Sequence, residues 1–197
     1  MINETFKFLA EEINKYLSQK LGVTTDQRLV WGNVGKALDN DSSGQNALSG
    51  KAIMSLINVE EDRVAMQQEN YIKSPTGITY KNPPVYLNLY VLFAVNRADY
   101  GDSLKYLALI IQFFQSQNVF TPLSNPSLDN RIQKLICDLF SVNFEQLNQI
   151  WSVLGGKYLP SVLYKIRQIT IDEDAIDYEA GFIKEIDLND TLIDAIS

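Results

Sequence analysis

VYLNLYVLFAVN (residues 85–96) reads as one long β-strand with two different faces. Val85, Leu87, Leu89, Val91, Phe93 and Val95 alternate onto one side, which is wholly apolar. Tyr86, Asn88, Tyr90, Leu92, Ala94 and Asn96 fall on the other, which is mixed. Side chains in a strand point alternately to opposite faces, so this pattern predicts a sheet packed on helices on its apolar side. Tyr86, Asn88 and Tyr90 on the mixed face suit contact with a partner or second layer, and equally suit ordinary half-buried positions.

Immediately downstream the period changes. DYGDSLKYLALIIQFFQSQ (99–117) places Leu104, Leu107, Ala108 and Ile111 at helical spacing, with Phe114 continuing the stripe and Ile110 and Phe113 widening it. Asp99 or Asp102 is expected as the N-cap rather than as a catalytic acid. NFEQLNQIWSVLGG (143–156) carries a capping-box pair, Asn143 and Gln146, ahead of a buried stripe of Leu147, Ile150, Trp151 and Leu154. Gly155-Gly156-Lys157 then stops the helix. It is not a phosphate loop, because a Walker A turn runs from strand to helix and ends in Lys-Ser/Thr. KYLPSVLYKIRQITI (157–171) is the next strand, with Pro160 near its start.

Toward the N-terminus, Phe6, Leu9, Ile13, Tyr16 and Leu17 predict an amphipathic helix capped by Asn3 and closed by Gly22. RLVWGNV (28–34) is a short strand, 39–50 a polar Gly/Ser-rich loop, and 51–64 a long strand with a charged, exposed end. Pro75 and Gly77 turn residues 65–84 into an extended hairpin. Loop residues 118–129 lead to RIQKLICDLF (131–140), which suits helical spacing better than alternation but admits both. Strands and helices mix without regular βαβ repeats. The fold class is therefore α+β, a single mixed or antiparallel sheet with helices packed mainly on one face.

Composition narrows the chemistry. The 197 residues include no histidine and one cysteine, Cys137. Ser-His-Asp and Cys-His catalysis are excluded, as are an intrachain disulfide and histidine-ligated metals. Cys137 reads as a small buried apolar residue. Glu60, Glu61 and Asp62 are adjacent on a strand and cannot all converge on one cation, so a solvated strand end is favoured over a Mg²⁺ site. No apolar run approaches the roughly 18–20 residues needed to cross a bilayer. The first residues lack the apolar core of a signal peptide, which implies a protein made in the cytoplasm.

Net charge is −7 and unevenly placed. From Ile171 to Ser197 there are nine acidic residues and one lysine, while residues 1–170 hold 15 acidic and 16 basic residues. No basic stripe suits a nucleic-acid backbone. The tail, 173–197, also contains too many aliphatic residues for a simple disordered segment. It reads either as a last helix packed on the body, 1–172, or as an arm that docks on a neighbouring subunit. On the second reading, Ile176, Tyr178, Phe182, Ile183, Ile186 and Leu192 are contact residues, joined by Tyr71 and Tyr80 from the hairpin.

Three ordered blocks, SLINVEED, PPVYLNLYVLFAVNRADYGDSLKYLALIIQFFQSQNVFTP and LNQIWSVLGGKYLPSVLYKIRQI, resemble the tail terminator (cap) proteins of extracellular contractile injection systems. The resemblance spans roughly residues 2–172 and omits the acidic tail. It implies a phage tail-terminator-like α+β fold, with strand rather than helix at 131–140. It also implies a homo-hexameric, non-catalytic cap without cofactor or metal, whose partners are sheath and inner-tube proteins, with no nucleic acid and no membrane. Such a cap ends the tube and sheath, fixes their length and ties one to the other. It is assembled in the cytoplasm and then stays with the particle. Another structural adaptor, at the tube end or baseplate, and a carboxylate- or Mg²⁺-dependent enzyme are the alternatives.

Overall fold

A computed structural model of the chain describes residues 1–22, 28–38, 48, 50–62, 71–74, 77–81, 84–171 and 176–181. In chain order the elements are α1 (Ile2–Leu21), β1 (Leu29–Trp31), α2 (Val34–Leu38), β2 (Ala52–Glu61), β3 (Tyr71–Ser74), β4 (Gly77–Lys81) and β5 (Val85–Val95). There follow α3 (Tyr100–Ser116), β6 (Val119–Phe120), β7 (Leu135–Leu139), α4 (Phe144–Val153), β8 (Ser161–Ile171) and β9 (Ile176–Gly181). They divide into two compact units, residues 1–65 with 85–171, and residues 66–84 with 172–197.

The first unit is built on a six-stranded sheet in the order β1-β2-β5-β8-β7-β6. It is mixed, because β1 runs parallel to β2 while every other neighbouring pair is antiparallel. β5 lies inside the sheet and feeds both faces. Leu89, Val91, Phe93 and Val95 enter the larger core with α1 and α3. Leu92 and Ala94 enter a smaller one with Ile53, Val34 of α2 and Trp151 of α4. The long helices thus cover one face, and the second is closed by the shorter α2 and α4. That second layer is built from few residues, which is why the mixed face of the strand shows it only weakly.

Phe93 is fully buried at the centre of the larger core, with ring centroids 5.5 Å from Phe114 and 5.7 Å from Tyr164. Both contacts are edge-to-face, the arrangement that aligns a ring's positive edge with another's negative face.

Three expectations shift in detail. α1 begins at Ile2 and is capped by Met1, not Asn3. The amino terminus donates to the Glu4 carboxylate, and the Thr5 hydroxyl donates to the Met1 carbonyl at 3.0 Å, which moves the first turn two residues earlier. Gly22 closes the helix at φ 68°, in the left-handed region where glycine carries no Cβ penalty. α3 is rotated from the predicted stripe: Ser103, Tyr106, Ile110, Phe113 and Phe114 are buried, whereas Leu104 and Ile111 are 47% and 38% exposed and Ala108 is exposed too. The rotation puts three of the helix's four aromatics, Tyr106, Phe113 and Phe114, in the core and leaves Tyr100 at its first turn exposed, and an aromatic ring buries more area than the aliphatic it displaces. The 28–34 strand stops at Trp31, because Ser55 Oγ donates to the Gly32 carbonyl and accepts from Val34 N at 3.0 Å, turning the chain into α2.

Elsewhere the signals hold. Asp99 caps α3 by accepting from Asp102 N at 2.8 Å. Asn143 and Gln146 form a reciprocal capping box on α4. Gly155 and Gly156 follow that helix at φ 106° and 75°. Pro160 needs no ladder donor and instead accepts from Val95 N at 3.0 Å. Residues 135–139 are a strand, since β8 supplies the ladder that local propensity did not reveal. The polar loop predicted over 39–50 lies almost wholly outside the described residues.

The second unit holds a three-stranded antiparallel sheet in the order β3-β4-β9. The hairpin expected over 65–84 is β3 and β4, and its Pro75-Thr76 turn lies outside the described residues. The six described tail residues form a strand, not part of a last helix.

Truncating Phe93→Ala removes the ring on which two core aromatics pack. The expected loss is about 3–5 kcal/mol in denaturant unfolding. A loss under about 1 kcal/mol would show that the sheet collapses to fill the space.

Candidate interaction site

The chain's own β-pairing brings part of the predicted contact set together. Tyr71 pairs with Tyr80, and Tyr80 with Tyr178, so three of the eight residues occupy one row across the three-stranded sheet. Ile176 pairs with Lys81, next to that row, across a register shift. Phe182, Ile183, Ile186 and Leu192 lie outside the described residues. The sequence marked the hairpin and the tail as separate reaching segments. Only the pairing of β4 with β9 shows that they build one sheet.

A second feature was not anticipated. β1 covers the outer edge of β2 only at Ala52–Met54. Beyond Ser55 the chain of β1 has turned away, so the outer edge of β2 over residues 56–60 has no partner strand among the described residues. An extra residue at Ile57 interrupts the register with β5, a bulge of the kind that protects exposed edges. Leu56 and Val59 remain 40% and 42% exposed there. Beside this edge lies a groove of about 430 Å³, lined by apolar Ile57, Val59, Tyr90, Phe140, Val142 and Ile150 among others. The only advance signal was SLINVEED itself, an apolar strand ending in charge.

Glu60 projects at this groove with partners of its own. Its Oε2 accepts from the Tyr90 hydroxyl at 2.6 Å and from Lys165 Nζ at 3.3 Å. Those bonds, Tyr90's first and Lys165's second, hold the Glu60 carboxyl below the usual carboxylate range. Because the folded pKa is depressed, the contribution is present at neutral pH and is lost as pH falls through it. Glu60 is thus committed to Tyr90 on the adjacent β5 and Lys165 on β8 beyond it, and among the described residues no group of three or more His, Cys, Asp or Glu side chains could hold a metal. Asn88 is buried, and its Oδ1 has no partner there. Tyr86 is half-buried. Cys137 is buried in the larger core, and burial pushes its thiol pKa far up, so it stays protonated. Among the described residues no helix is long and apolar enough to cross a membrane.

In a carboxyl NMR titration, Tyr90→Phe is expected to move Glu60 back toward 4.5 by more than Lys165→Met does. The reverse order would place the ion pair above the phenol in holding this carboxylate.

The fold has relatives among solved structures. One is the PVC sheath/tube terminator of an extracellular contractile injection system in its extended state, at 13% identity and TM-score 0.57, covering 90% of this chain and 61% of that one. Another is the tube-terminating cap of the anti-feeding prophage, at 12% identity and TM-score 0.57, covering 91% and 59%. The likeness at this identity is one of fold, and the chain spans about six-tenths of the length of either structure. No curated protein matches the chain. The family model for the Pvc16 N-terminal domain matches residues 4–185, which takes in the six-stranded sheet, the hairpin and β9, and the chain belongs to that family.

Proposed function

We propose that this protein is a structural cap that terminates the inner tube and contractile sheath of a phage-tail-like injection particle. It fixes the length of both and ties the sheath end to the tube end. The observation that supports this reading most is the family match over residues 4–185 together with a fold shared with two terminators. The absence of histidine agrees with a role that needs no general base near neutral pH.

The cap works as a homo-hexamer, assembled in the cytoplasm and carried afterwards on the particle. A ring needs heterologous contacts that close on themselves, and exposed strand edges supply them through backbone hydrogen bonds. The outer edges of β3 and β9, with Tyr71, Tyr80, Ile176 and Tyr178 on the three-stranded sheet and Phe182, Ile183, Ile186 and Leu192 beyond it, are the proposed contacts to neighbouring subunits or to sheath.

Electron microscopy of a strain lacking the protein tests the role. Overlong or uncapped tails are expected, whereas particles without baseplates would make it a baseplate adaptor. Deleting residues 173–197 removes β9 and is expected to weaken ring formation or sheath attachment. Unchanged hexamers on sedimentation, with particles of normal length, would release the tail from that part.

A further inference from the structure

Two arginines meet at one buried tyrosine. Tyr106 of α3 is 2% exposed. Arg28, just before β1, donates from Nη1 to the Tyr106 hydroxyl, and its guanidinium carbon lies 5.9 Å from the ring centroid. Arg97, just after β5, has its guanidinium carbon 4.9 Å from the same centroid. Both are anchored by their backbones. Asn14 of α1 accepts from Arg28 N at 2.9 Å, and Arg97 N donates to Ser103 Oγ at 3.3 Å.

Both side chains are half-buried, and no carboxylate among the described residues lies within ion-pair distance of either. Asp99, the acid nearest Arg97 in sequence, is occupied as the cap of α3. Arg97 Nη1 donates to the Gly50 carbonyl at 2.6 Å. Arg28 Nε is buried with no hydrogen-bond partner among the described residues. Two half-buried guanidiniums share one ring, and a tyrosine face offsets only part of the cost of taking their charge partly out of water. An oxyanion between them neutralises the pair and fills the open donors of two planar forks.

We infer that Arg28 and Arg97, held around Tyr106, form an oxyanion site that receives a carboxylate from the acidic tail of a second copy of this chain. Charge complementarity selects the donor. The tail from Ile171 carries nine acidic residues against one lysine, and the stretch beyond β9 holds Glu185, Asp187, Asp190 and Asp194. The sheet supplies the direction. Ala52 pairs with Val95, so the arginines sit where β1 and β2 begin and β5 ends. Val85 pairs with Ile171, so the chain leaves the six-stranded sheet for its tail at the opposite end. A tail of one copy entering the arginine site of the next is a head-to-tail contact, the kind that closes a ring. The donor's identity rests on the ring-forming reading above, while the site itself does not.

The site is tested by thermal melts of the full chain in sulfate and in chloride at matched ionic strength. The unaltered chain is expected to gain a saturable rise in Tm with sulfate that Arg28→Gln and Arg97→Gln lose and Arg97→Lys partly keeps. The general salting effect of sulfate remains in all four. An identical sulfate response in all four overturns the site. The donor is tested by sedimentation equilibrium on full chains. Glu185→Gln, Asp187→Asn, Asp190→Asn and Asp194→Asn together, or Arg97→Gln alone, should each weaken self-association about tenfold, the loss of one charge-assisted contact. All five together should cost no more than either. Additive losses, an unaffected tail variant or a chain monomeric throughout overturns the second copy as donor. So does a sulfate response that emerges only after Asp26→Asn, since the chain's own aspartate would then fill the site. Capping is read from particle length, so either reading fails without the other.

Discussion

Burial of β5 on both faces is the constraint from which the rest of the first unit follows. A strand flanked by β2 and β8 has no free edge, and one with aromatic and branched side chains on both sides requires two covering layers. α1 and α3 meet the larger demand with Phe8, Phe113 and Phe114, and α4 meets the smaller with Trp151. Positions at the sheet margin follow from this. β1 is short because Ser55 turns the chain into α2, and Val34 then closes the second layer. The same turn leaves the outer edge of β2 beyond Ser55 without a partner strand among the described residues.

The two sheets share an order. β2, β5 and β8 lie side by side in the first, and β3, β4 and β9, the next or preceding strands of the same chain segments, lie side by side in the second. All four pairings are antiparallel. The hairpin and the tail are therefore repeated partners: β4 runs between β3 and β9 as β5 runs between β2 and β8. For a protein proposed to close a ring, this matters because a three-stranded sheet presents two outer edges, and both belong to segments that the family match takes in but the three resembling blocks leave out. The tail strand Ile176–Gly181 finds its backbone partner within its own chain.

Charge is segregated along the chain. Three carboxylates of the first unit hold cations: Asp138 accepts from Arg167, Asp129 from Arg131, and Glu60 from Lys165 as well as from Tyr90. These exposed pairs contribute little to stability at ordinary ionic strength. By composition the body is near neutrality, and the acidic tail carries the imbalance.

Local pattern alone determined the element types where period and punctuation agree. The alternation of 85–96 makes a strand, the Asn143–Gln146 box starts α4, Asp99 starts α3, and Gly22 and Gly155-Gly156 end helices, because each depends on a residue's own dihedral preference or on partners within four positions. The ordered blocks carried the family as well. What depended on distant partners had to await the tertiary structure. Which face of α3 is buried was decided by where Phe93 and Tyr164 wait for Phe114. Residues 135–139 became a strand because β8 lies beside them. The tail's strand needed β4, the open edge of β2 needed Ser55, and the meeting of Arg28 with Arg97 needed a tyrosine from α3. Such contacts join positions tens of residues apart, and no local periodicity encodes them.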